Sequence, residues 1–212
     1  MSEIATKDIV TKDKDQRREI VETAERLFRQ IGFQKTTVAD IARELHMSPA
    51  NVYRFFGSKA EINAAVARQL MQEVETAAEA FANESGPASE RMRALIKTTE
   101  AMNSERYIGD RKLHDMVEVA LNEQWPIVEE HIGRIAACLG RIIVEGMATG
   151  EFAPGDPVLA TRLVHTACMR FCHPRLMVEC AGKAEPSIDQ MVDFCLAALR
   201  SKGWDSEKAP SR

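Results

Sequence analysis

Residues 36–62 read TTVADIARELHMSPANVYRFFGSKAEI, and this stretch decides the fold of the first part of the chain. Thr37 can cap a helix that begins at Val38, with apolar positions 38, 41, 42 and 45 on one face. Ser48 can cap a second helix, with Pro49 at its first position, where a missing N–H costs nothing. Gly57 ends that helix after about two turns. Two short helices joined by the turn 46–48 form the helix-turn-helix layout.

The second of these helices has two different faces. Placed at intervals of about 100°, its bulky apolar residues fall on one side, namely Val52, Phe55 and Phe56. The opposite side carries Ala50 and Arg54, flanked by Asn51 and Tyr53. A small residue allows close approach to a surface, and Arg, Asn and Tyr donate hydrogen bonds to base edges and phosphates. The pattern predicts a recognition helix that enters the major groove of DNA.

We expect seven residues to contact DNA. Thr37 and Ser48 offer hydroxyl groups at helix starts, where phosphates bind. Lys59 follows the first residue of a capping box formed by Ser58 and Glu61, and it can reach a flanking phosphate. The complete predicted set is Thr37, Ser48, Ala50, Asn51, Tyr53, Arg54 and Lys59.

The whole chain is predicted to be all-α. Apolar residues recur with a period near that of a helix, and their grouping predicts about nine helices over 212 residues. The first helix is predicted from about Lys14 to Ile31, preceded by a disordered arm over residues 1–13. A helix that starts at Asp156-Pro157 is expected to break or kink at His173-Pro174.

Composition excludes several classes of protein. The net charge is −4, yet residues 1–70 carry 12 Lys and Arg against 10 Asp and Glu, which is compatible with DNA binding by that part alone. No apolar run approaches the roughly 18–20 residues that span a bilayer. Five cysteines without framework spacing, and no secretion signal, predict a cytoplasmic protein with reduced thiols. No nucleophile motif or phosphate loop indicates an enzyme, and no cofactor or metal is expected.

Residues 16–62 resemble the DNA-binding domain of the TetR family of bacterial transcriptional regulators. The resemblance lies in RREIVETAERLFRQIGF and in TTVADIARELHMSPANVYRFFGSKAEI, with Gly32-Phe33, Thr36-Thr37, Ile41-Ala42, Val52-Tyr53, Phe55-Phe56 and Lys59 at the family's positions. The chain has Tyr53-Arg54-Phe55-Phe56 where a Tyr-x-His-Phe or Tyr-Tyr-His-Phe run is very common in the family. The resemblance implies a DNA-binding domain over residues 14–60 and a ligand-binding and dimerisation domain over residues 61–205. It also implies a homodimer that represses at a palindromic DNA operator and is released by a small-molecule effector.

The larger domain contains candidates for the dimer interface and the effector site. The resemblance implies that helices over about 156–172 and 186–201 form the interface, and its predicted residues are Leu163, Ala167, Phe171, Met191, Phe194 and Cys195. Adaptable apolar or aromatic side chains and histidines are typical of a pocket for an apolar ligand. The predicted ligand-binding residues are Met102, His114, Met116, Trp125, Cys138, Met147, His165 and Cys168.

A second hypothesis is a thiol-redox or metal-responsive regulator. His165, Cys168 and Cys172 lie at spacings that put them on one helix face, with His173 and Cys180 nearby. Small cysteines also fill apolar interfaces, so the same residues are compatible with simple packing.

Overall fold

The computed structural model describes residues 2–108, 111–183 and 186–202, with side chains from residue 12 onward except that of residue 111. This part of the chain is built of ten α-helices without a strand. In chain order they are α1 (Ser2–Ile31), α2 (Val38–Glu44), α3 (Pro49–Phe55), α4 (Lys59–Asn83), α5 (Ala88–Tyr107), α6 (Arg111–Asn122), α7 (Pro126–Ala148), α8 (Pro157–Cys172), α9 (Pro174–Cys180) and α10 (Ile188–Arg200). The all-α prediction is confirmed. None of these helices is both long enough and apolar enough to span a bilayer.

The prediction of a disordered arm over residues 1–13 is wrong for residues 2–13, which continue α1. Residues 2–13 contain neither glycine nor proline, and several are good helix formers, so nothing ends the helix on its N-terminal side. Met1, the predicted end of the second domain at 205 and the residues after it lie outside the described residues.

The prediction of about nine helices misses α9. Pro174 does end the preceding helix, since His173 before it is extended (φ −83°, ψ 119°). The same proline then occupies the first position of a new seven-residue helix, Pro174–Cys180, where its missing N–H is harmless. One residue therefore both ends α8 and begins α9.

The helices group into two compact units, and α4 supplies residues to both. The first unit runs to Met71 and also contains the segment with α6, which packs on α1. The second unit begins at Gln72 and contains α5 and α7 to α10. The predicted boundary at residue 60 therefore differs from the observed division. It was placed at the start of a helix, but α4 continues without a linker.

Apolar side chains from three helices fix the first unit around the start of α4. Ile20 and Phe28 of α1, Ile41 of α2 and Val52 of α3 have no exposed surface. The ring of Phe33 packs edge-on against that of Phe28, with 5.4 Å between centroids. These contacts hold α2 and α3 in a defined position on α1, which leaves their polar faces outward.

The second unit has its own core, formed where α5, α7, α8 and α10 meet. Ile142 and Ile143 of α7 and Val192 of α10 are fully buried there. Gly146 permits the closest approach: a Cβ atom at this position would lie 2.3 Å from the Phe152 ring. The loop after α7 therefore folds back onto its own helix.

Candidate nucleic-acid interface

The start of α2 is closed by a reciprocal cap. The N–H of Asp40 donates to Oγ1 of Thr37 (3.1 Å), and the N–H of Thr37 donates to Oδ2 of Asp40 (2.9 Å). The Thr37 hydroxyl donates to the same carboxylate oxygen at 2.7 Å. These bonds, with a further one from Arg43, hold the pKa of Asp40 below its usual value. The hydroxyl proton of Thr37 is therefore engaged inside the protein.

The turn between α2 and α3 is a Schellman motif without glycine. The N–H of Met47 donates to the carbonyl of Ala42 (2.9 Å), and that of His46 donates to the carbonyl of Arg43 (3.2 Å). His46 occupies the left-handed region, with φ 52°. The turn sets the angle between α2 and α3 and leads directly into Ser48.

The start and faces of α3 agree with the sequence prediction. The side-chain oxygen of Ser48 accepts the N–H of Asn51 (3.2 Å), so its hydroxyl proton points away from this bond. Val52 and Phe55 are buried, whereas Ala50, Tyr53 and Arg54 are exposed. Asn51 is half-buried, and its amide nitrogen lies 3.9 Å from the Met47 sulfur. Three of the four α3 residues that are predicted to contact DNA are therefore exposed.

Two arginines stack on the phenylalanines at the end of α3. The guanidinium carbon of Arg54 lies 4.8 Å from the centroid of the Phe55 ring, and that of Arg17 lies 4.2 Å from that of Phe56. Arg17 also donates to the carbonyl oxygen of Phe55. Arg17 is not among the residues predicted from the sequence, because its partner Phe55 is 38 residues away.

Lys59 has partners within the protein. Its ammonium donates to the carbonyl oxygens of Phe33 and Gln34, both at 3.3 Å, and lies 5.7 Å from the centroid of the Phe33 ring. Partial burial lowers the pKa of Lys59, although the negative charge of Asp40 acts to raise it. Lys59 thus joins the start of α4 to the turn before α2.

An open apolar groove of about 240 Å³ lies between α8 and α10 in the second unit. Its walls are formed by Ala160, Leu163, Val164, Ala167, Phe194, Cys195, Ala198 and Leu199. Phe194 is 70% exposed and Leu163 is 49% exposed. Four predicted interface residues therefore line one groove. Of the other two, Met191 packs on the core, and Phe171 is half-buried beneath Arg170.

The predicted ligand-binding residues are divided between the units. His114, Met116 and Trp125 belong to the first unit, whereas Met102, Cys138, Met147, His165 and Cys168 belong to the second. Met116 is buried, and the indole N–H of Trp125 donates to Glu123 at 2.9 Å. In the second unit Cys138 and Cys168 are members of the core, and Met147 packs against it.

Three glutamates of α4 are bonded to other helices of the second unit. Glu75 accepts a bond from His131 Nδ1 (2.9 Å) and one from Arg134 (2.8 Å), and its side chain is 7% exposed. Burial opposes the charge of Glu75, but the bonds from Arg134 and His131 outweigh it and lower its pKa. Burial lowers the pKa of His131, although the hydrogen bond to Glu75 and the charge of that carboxylate act to raise it.

The other two glutamates of α4 are half-exposed. Glu73 pairs with Arg106 of α5. Glu79 accepts bonds from Arg141 (2.6 Å) and from the Cys138 thiol (3.1 Å), which lower its pKa to about 2. Burial and the nearby Glu79 raise the pKa of Cys138 to about 11, so this thiol is unreactive near neutrality.

The cysteines of the second hypothesis have different surroundings. Cys168 and Cys195 of α10 belong to the same core; their interaction lowers the pKa of Cys195 and, with burial, raises that of Cys168. Burial raises the pKa of Cys172 to about 12. Within the part of the chain that the structure describes, no group of three or more His, Cys, Asp or Glu side chains could hold a metal ion.

Two family models match this chain. Residues 20–66 match the model described as "Bacterial regulatory proteins, tetR family", and residues 88–192 match "Tetracyclin repressor-like, C-terminal domain". The chain belongs to the TetR family of transcriptional regulators. The TetR-family resemblance carried by residues 16–62 is confirmed, and the second model extends it into the second unit.

Three proteins illustrate how this TetR-family chain compares with known ones. The transcriptional regulator BetI of Brucella canis is 35% identical over 80 residues, which are 38% of this chain and 40% of that protein. The chain thus spans about 40% of the length of the curated relatives it first matches. A TetR/AcrR-family regulator from Thermobifida fusca matches with a TM-score of 0.65 at 23% identity, covering 91% of this chain and 100% of that one. FadR of Bacillus subtilis, solved in complex with stearoyl-CoA, matches with a TM-score of 0.58 at 19% identity, covering 87% and 97%.

Proposed function

We propose that this TetR-family protein is a transcriptional repressor that binds a palindromic DNA operator as a homodimer and leaves it when a small molecule binds. The observation that carries the proposal is the exposed face of α3, where Ala50, Tyr53 and Arg54 project from a capped helix whose opposite face is buried. The proposal places the protein in the bacterial cytoplasm, at the nucleoid when bound to DNA.

The geometry supports different roles for the seven residues that are predicted to contact DNA. Ala50 allows α3 to approach the groove, and Tyr53 and Arg54 read bases or phosphates from its exposed face. Ser48 retains a hydroxyl proton for a phosphate, because its oxygen acts as acceptor within the cap. Thr37 and Lys59 have partners inside the protein, so they act on DNA mainly by holding α2 and α4 in place.

The DNA-binding part is tested with duplexes that the protein selects from a random pool. Arg54→Ala is expected to weaken binding by about 1–3 kcal/mol and to relax base preference if Arg54 contacts guanine with two donors. Ala50→Leu adds bulk to the same face and is expected to abolish binding with the fold intact. Ala137→Leu adds equal bulk to an exposed position of α7 and serves as the control. Unchanged binding by the Arg54 and Ala50 variants in a mobility-shift assay counts against the proposal.

The homodimer is supported by the groove between α8 and α10. Exposed apolar surface of this kind marks protein interfaces, and Phe194 is the most exposed large apolar side chain among the described residues. A two-fold pairing through this face suits a palindromic operator. Phe194→Asp is expected to give a monomer in analytical ultracentrifugation, whereas Val144→Asp, on an exposed position of α7, is expected to leave the dimer. A dimeric Phe194 variant would place the interface elsewhere.

An effector site in the second unit is the remaining part of the proposal. A regulator of similar fold was solved in complex with stearoyl-CoA, which supports a small-molecule role for this kind of helical unit. Met102, Cys138, Met147, His165 and Cys168 are the candidates in this unit, while His114, Met116 and Trp125 are candidates in the first. Native mass spectrometry of the purified protein tests for a bound organic molecule, with stearoyl-CoA as a first added probe. A protein whose DNA affinity no bound or added molecule alters would contradict this part.

A thiol response is a second candidate function, favoured by the location of Cys168 and Cys195 in one core, where each shifts the pKa of the other. Peroxide can oxidise the Cys195 sulfur to a sulfenic acid and release water. The Cys168 thiol then condenses with it, which forms a disulfide and a second water. Peroxide is expected to remove two free thiols and change DNA affinity in the native chain but not in Cys195→Ser. Cys180→Ser is the control, and equal behaviour of the two variants would exclude this pair.

A further inference from the structure

One cation of α1 closes the C-terminal end of α3. Arg17 donates from Nη1 to the carbonyl oxygen of Phe55, the last residue of α3. Its guanidinium carbon lies 4.2 Å from the centroid of the Phe56 ring. Both rings are nearly buried, with Phe55 8% and Phe56 2% exposed. Arg17 thus joins a helix of the scaffold to the point where α3 ends.

A contact at this point has a large effect because α3 is short. The last carbonyls of any helix have no partner within the helix, and α3 has only seven residues. It ends abruptly, since Phe56 is extended at φ −134° and ψ 117°. A guanidinium here supplies a donor to a free carbonyl and a positive charge at the negative end of the helix.

The same end of α3 presents the side chains that face outward. Arg54 precedes Phe55 directly, and its guanidinium rests 4.8 Å from the centroid of the Phe55 ring. Tyr53 is 49% exposed one residue earlier. A shift of the Phe55 carbonyl or of the Phe56 ring therefore moves the base-reading side chains with it.

Arg18 provides an internal comparison. It carries the same charge on the next position of α1, but its guanidinium pairs with Asp15 at 3.5 Å and with Glu22 at 3.7 Å, both on α1 itself. Removing either arginine changes the net charge of the first unit by the same amount. Only the removal of Arg17 breaks a bond to the end of α3.

We propose that Arg17 is a positioning residue that sets base discrimination by holding the C-terminal end of α3. The inference rests on the proposed DNA-binding function and adds a residue to it. Arg17 acts through Phe55 and Phe56 rather than by touching a base. Its loss is therefore expected to lower the preference for the correct sequence more than it lowers the general attraction to DNA.

The test compares the wild-type chain with Arg17→Ala, Arg17→Lys and Arg18→Ala. Each protein is titrated with a duplex that wild type selects from a random pool and with a scrambled duplex of the same composition. Arg17→Ala is expected to lose about tenfold in the ratio of the two affinities, the range of one lost base contact. Its affinity for the scrambled duplex is expected to match that of Arg18→Ala, with the same salt dependence. Arg17→Lys keeps a donor but not the planar stack, so an intermediate ratio is expected.

Two results would overturn the proposal. Equal affinity ratios for Arg17→Ala and Arg18→Ala would show that the bond to Phe55 does not affect discrimination. An equal loss on both duplexes, with a salt slope smaller by about one, would make Arg17 a direct phosphate contact. Circular dichroism monitors folding, and if Arg17→Ala does not fold, the ratio of Arg17→Lys to Arg18→Ala decides. If the wild-type protein selects no duplex from the random pool, the DNA-binding proposal itself is wrong, and the role of Arg17 is not the cause of the failure.

Discussion

The hydroxyl of Thr37 donates to the carboxylate of Asp40, with 2.7 Å between Oγ1 and Oδ2. This relationship changes the role of a residue that the sequence predicts as a phosphate contact. The cap uses the hydroxyl proton, and it places a carboxylate at the start of α2. Thr37 therefore stabilises the start of α2 through its hydroxyl, and its contact with DNA stays a prediction.

Thr37→Ala is accordingly expected to lower the free energy of unfolding by about 1 kcal/mol, the usual value of a lost N-cap. Thr37→Ser keeps the hydroxyl and is expected to retain most of that stability. Chemical denaturation measures the change in the free energy of unfolding. Titration with DNA, under conditions well below the unfolding midpoint, measures whether Thr37→Ala also changes DNA affinity. If Thr37→Ala weakens DNA binding as strongly as Arg54→Ala without a change in stability, the hydroxyl is used by phosphate after all.

His46 holds a left-handed conformation that glycine adopts more easily. Its φ of 52° closes the Schellman motif after α2. Because L-residues pay roughly 1 kcal/mol in this region, His46→Gly is expected to stabilise the chain by a few tenths of a kcal/mol to about 1 kcal/mol. His46→Val is expected to destabilise it, since β-branched side chains fit this region worst. Thermal unfolding of the three proteins should rank them Gly, His, Val; equal midpoints would contradict the turn as described.

Two glycines of α7 are expected to respond in opposite directions to alanine. Nothing lies within 4 Å of a Cβ atom at Gly133, so Gly133→Ala is expected to stabilise the helix by about 1 kcal/mol. At Gly146 the added atom would lie 2.3 Å from the Phe152 ring and 2.9 Å from the Ala88 side chain. Gly146→Ala is therefore expected to destabilise the second unit by about 1–3 kcal/mol. Denaturant midpoints measured side by side test the pair, and a shift in the same direction for both would refute the packing described.

The free energy of unfolding is expected to depend on pH through the protonation of His131. Burial lowers the pKa of His131, which faces Glu75 of α4, Arg134 of α7 and Arg106 of α5. An unfolded histidine binds a proton near pH 6.5, so below that pH acid favours the unfolded chain until the folded pKa is passed. Stability is therefore expected to fall as the pH drops below about 6.5, by at most about 1.4 kcal/mol per pH unit for each such histidine. Glu75 stays ionised in this window, since its pKa is lowered.

Variants separate the contributions of two half-buried histidines, His131 and His165. His131→Gln is expected to flatten the slope, although it lowers stability at pH 7.5 because Glu75 loses a donor. Burial also lowers the pKa of His165, so His165→Asn is expected to remove a further part of the slope. Urea denaturation between pH 5 and 8 provides the measurement, and an unchanged slope in the double variant would assign the acid sensitivity to other groups.

Local signals in the sequence were sufficient for most of the fold. Thr37, Ser48 and Pro49 lie at the ends of helices, where a few neighbouring residues determine the backbone, and the observed caps follow them. The two faces of α3 also follow from periodicity alone. The helical backbone of residues 2–13 and the helix after Pro174 were missed, because neither has the cap or apolar stripe that a pattern requires.

Contacts between distant positions could not be read from the chain. His131 is visible in the sequence, but its partner Glu75 is 56 residues away, and no periodicity relates them. The same holds for Arg17 with Phe55 and for Cys168 with Cys195. Such pairs depend on how helices pack, which single-helix patterns do not specify. The effector candidates were scattered over both units for the same reason.

The row of glutamates on α4 gives that helix two kinds of attachment. In the first unit α4 is held by Ile62, Val66 and Leu70, which added salt does not weaken. In the second unit α4 also buries Val74, Ala78 and Ala82, but there Glu73 and Glu79 are half-exposed, and their pairs with arginine are screened as ionic strength rises. Concentrated salt should therefore weaken the attachment of α4 to the second unit more than its attachment to the first, so hydrogen exchange along α4 should become uneven as the ionic strength increases.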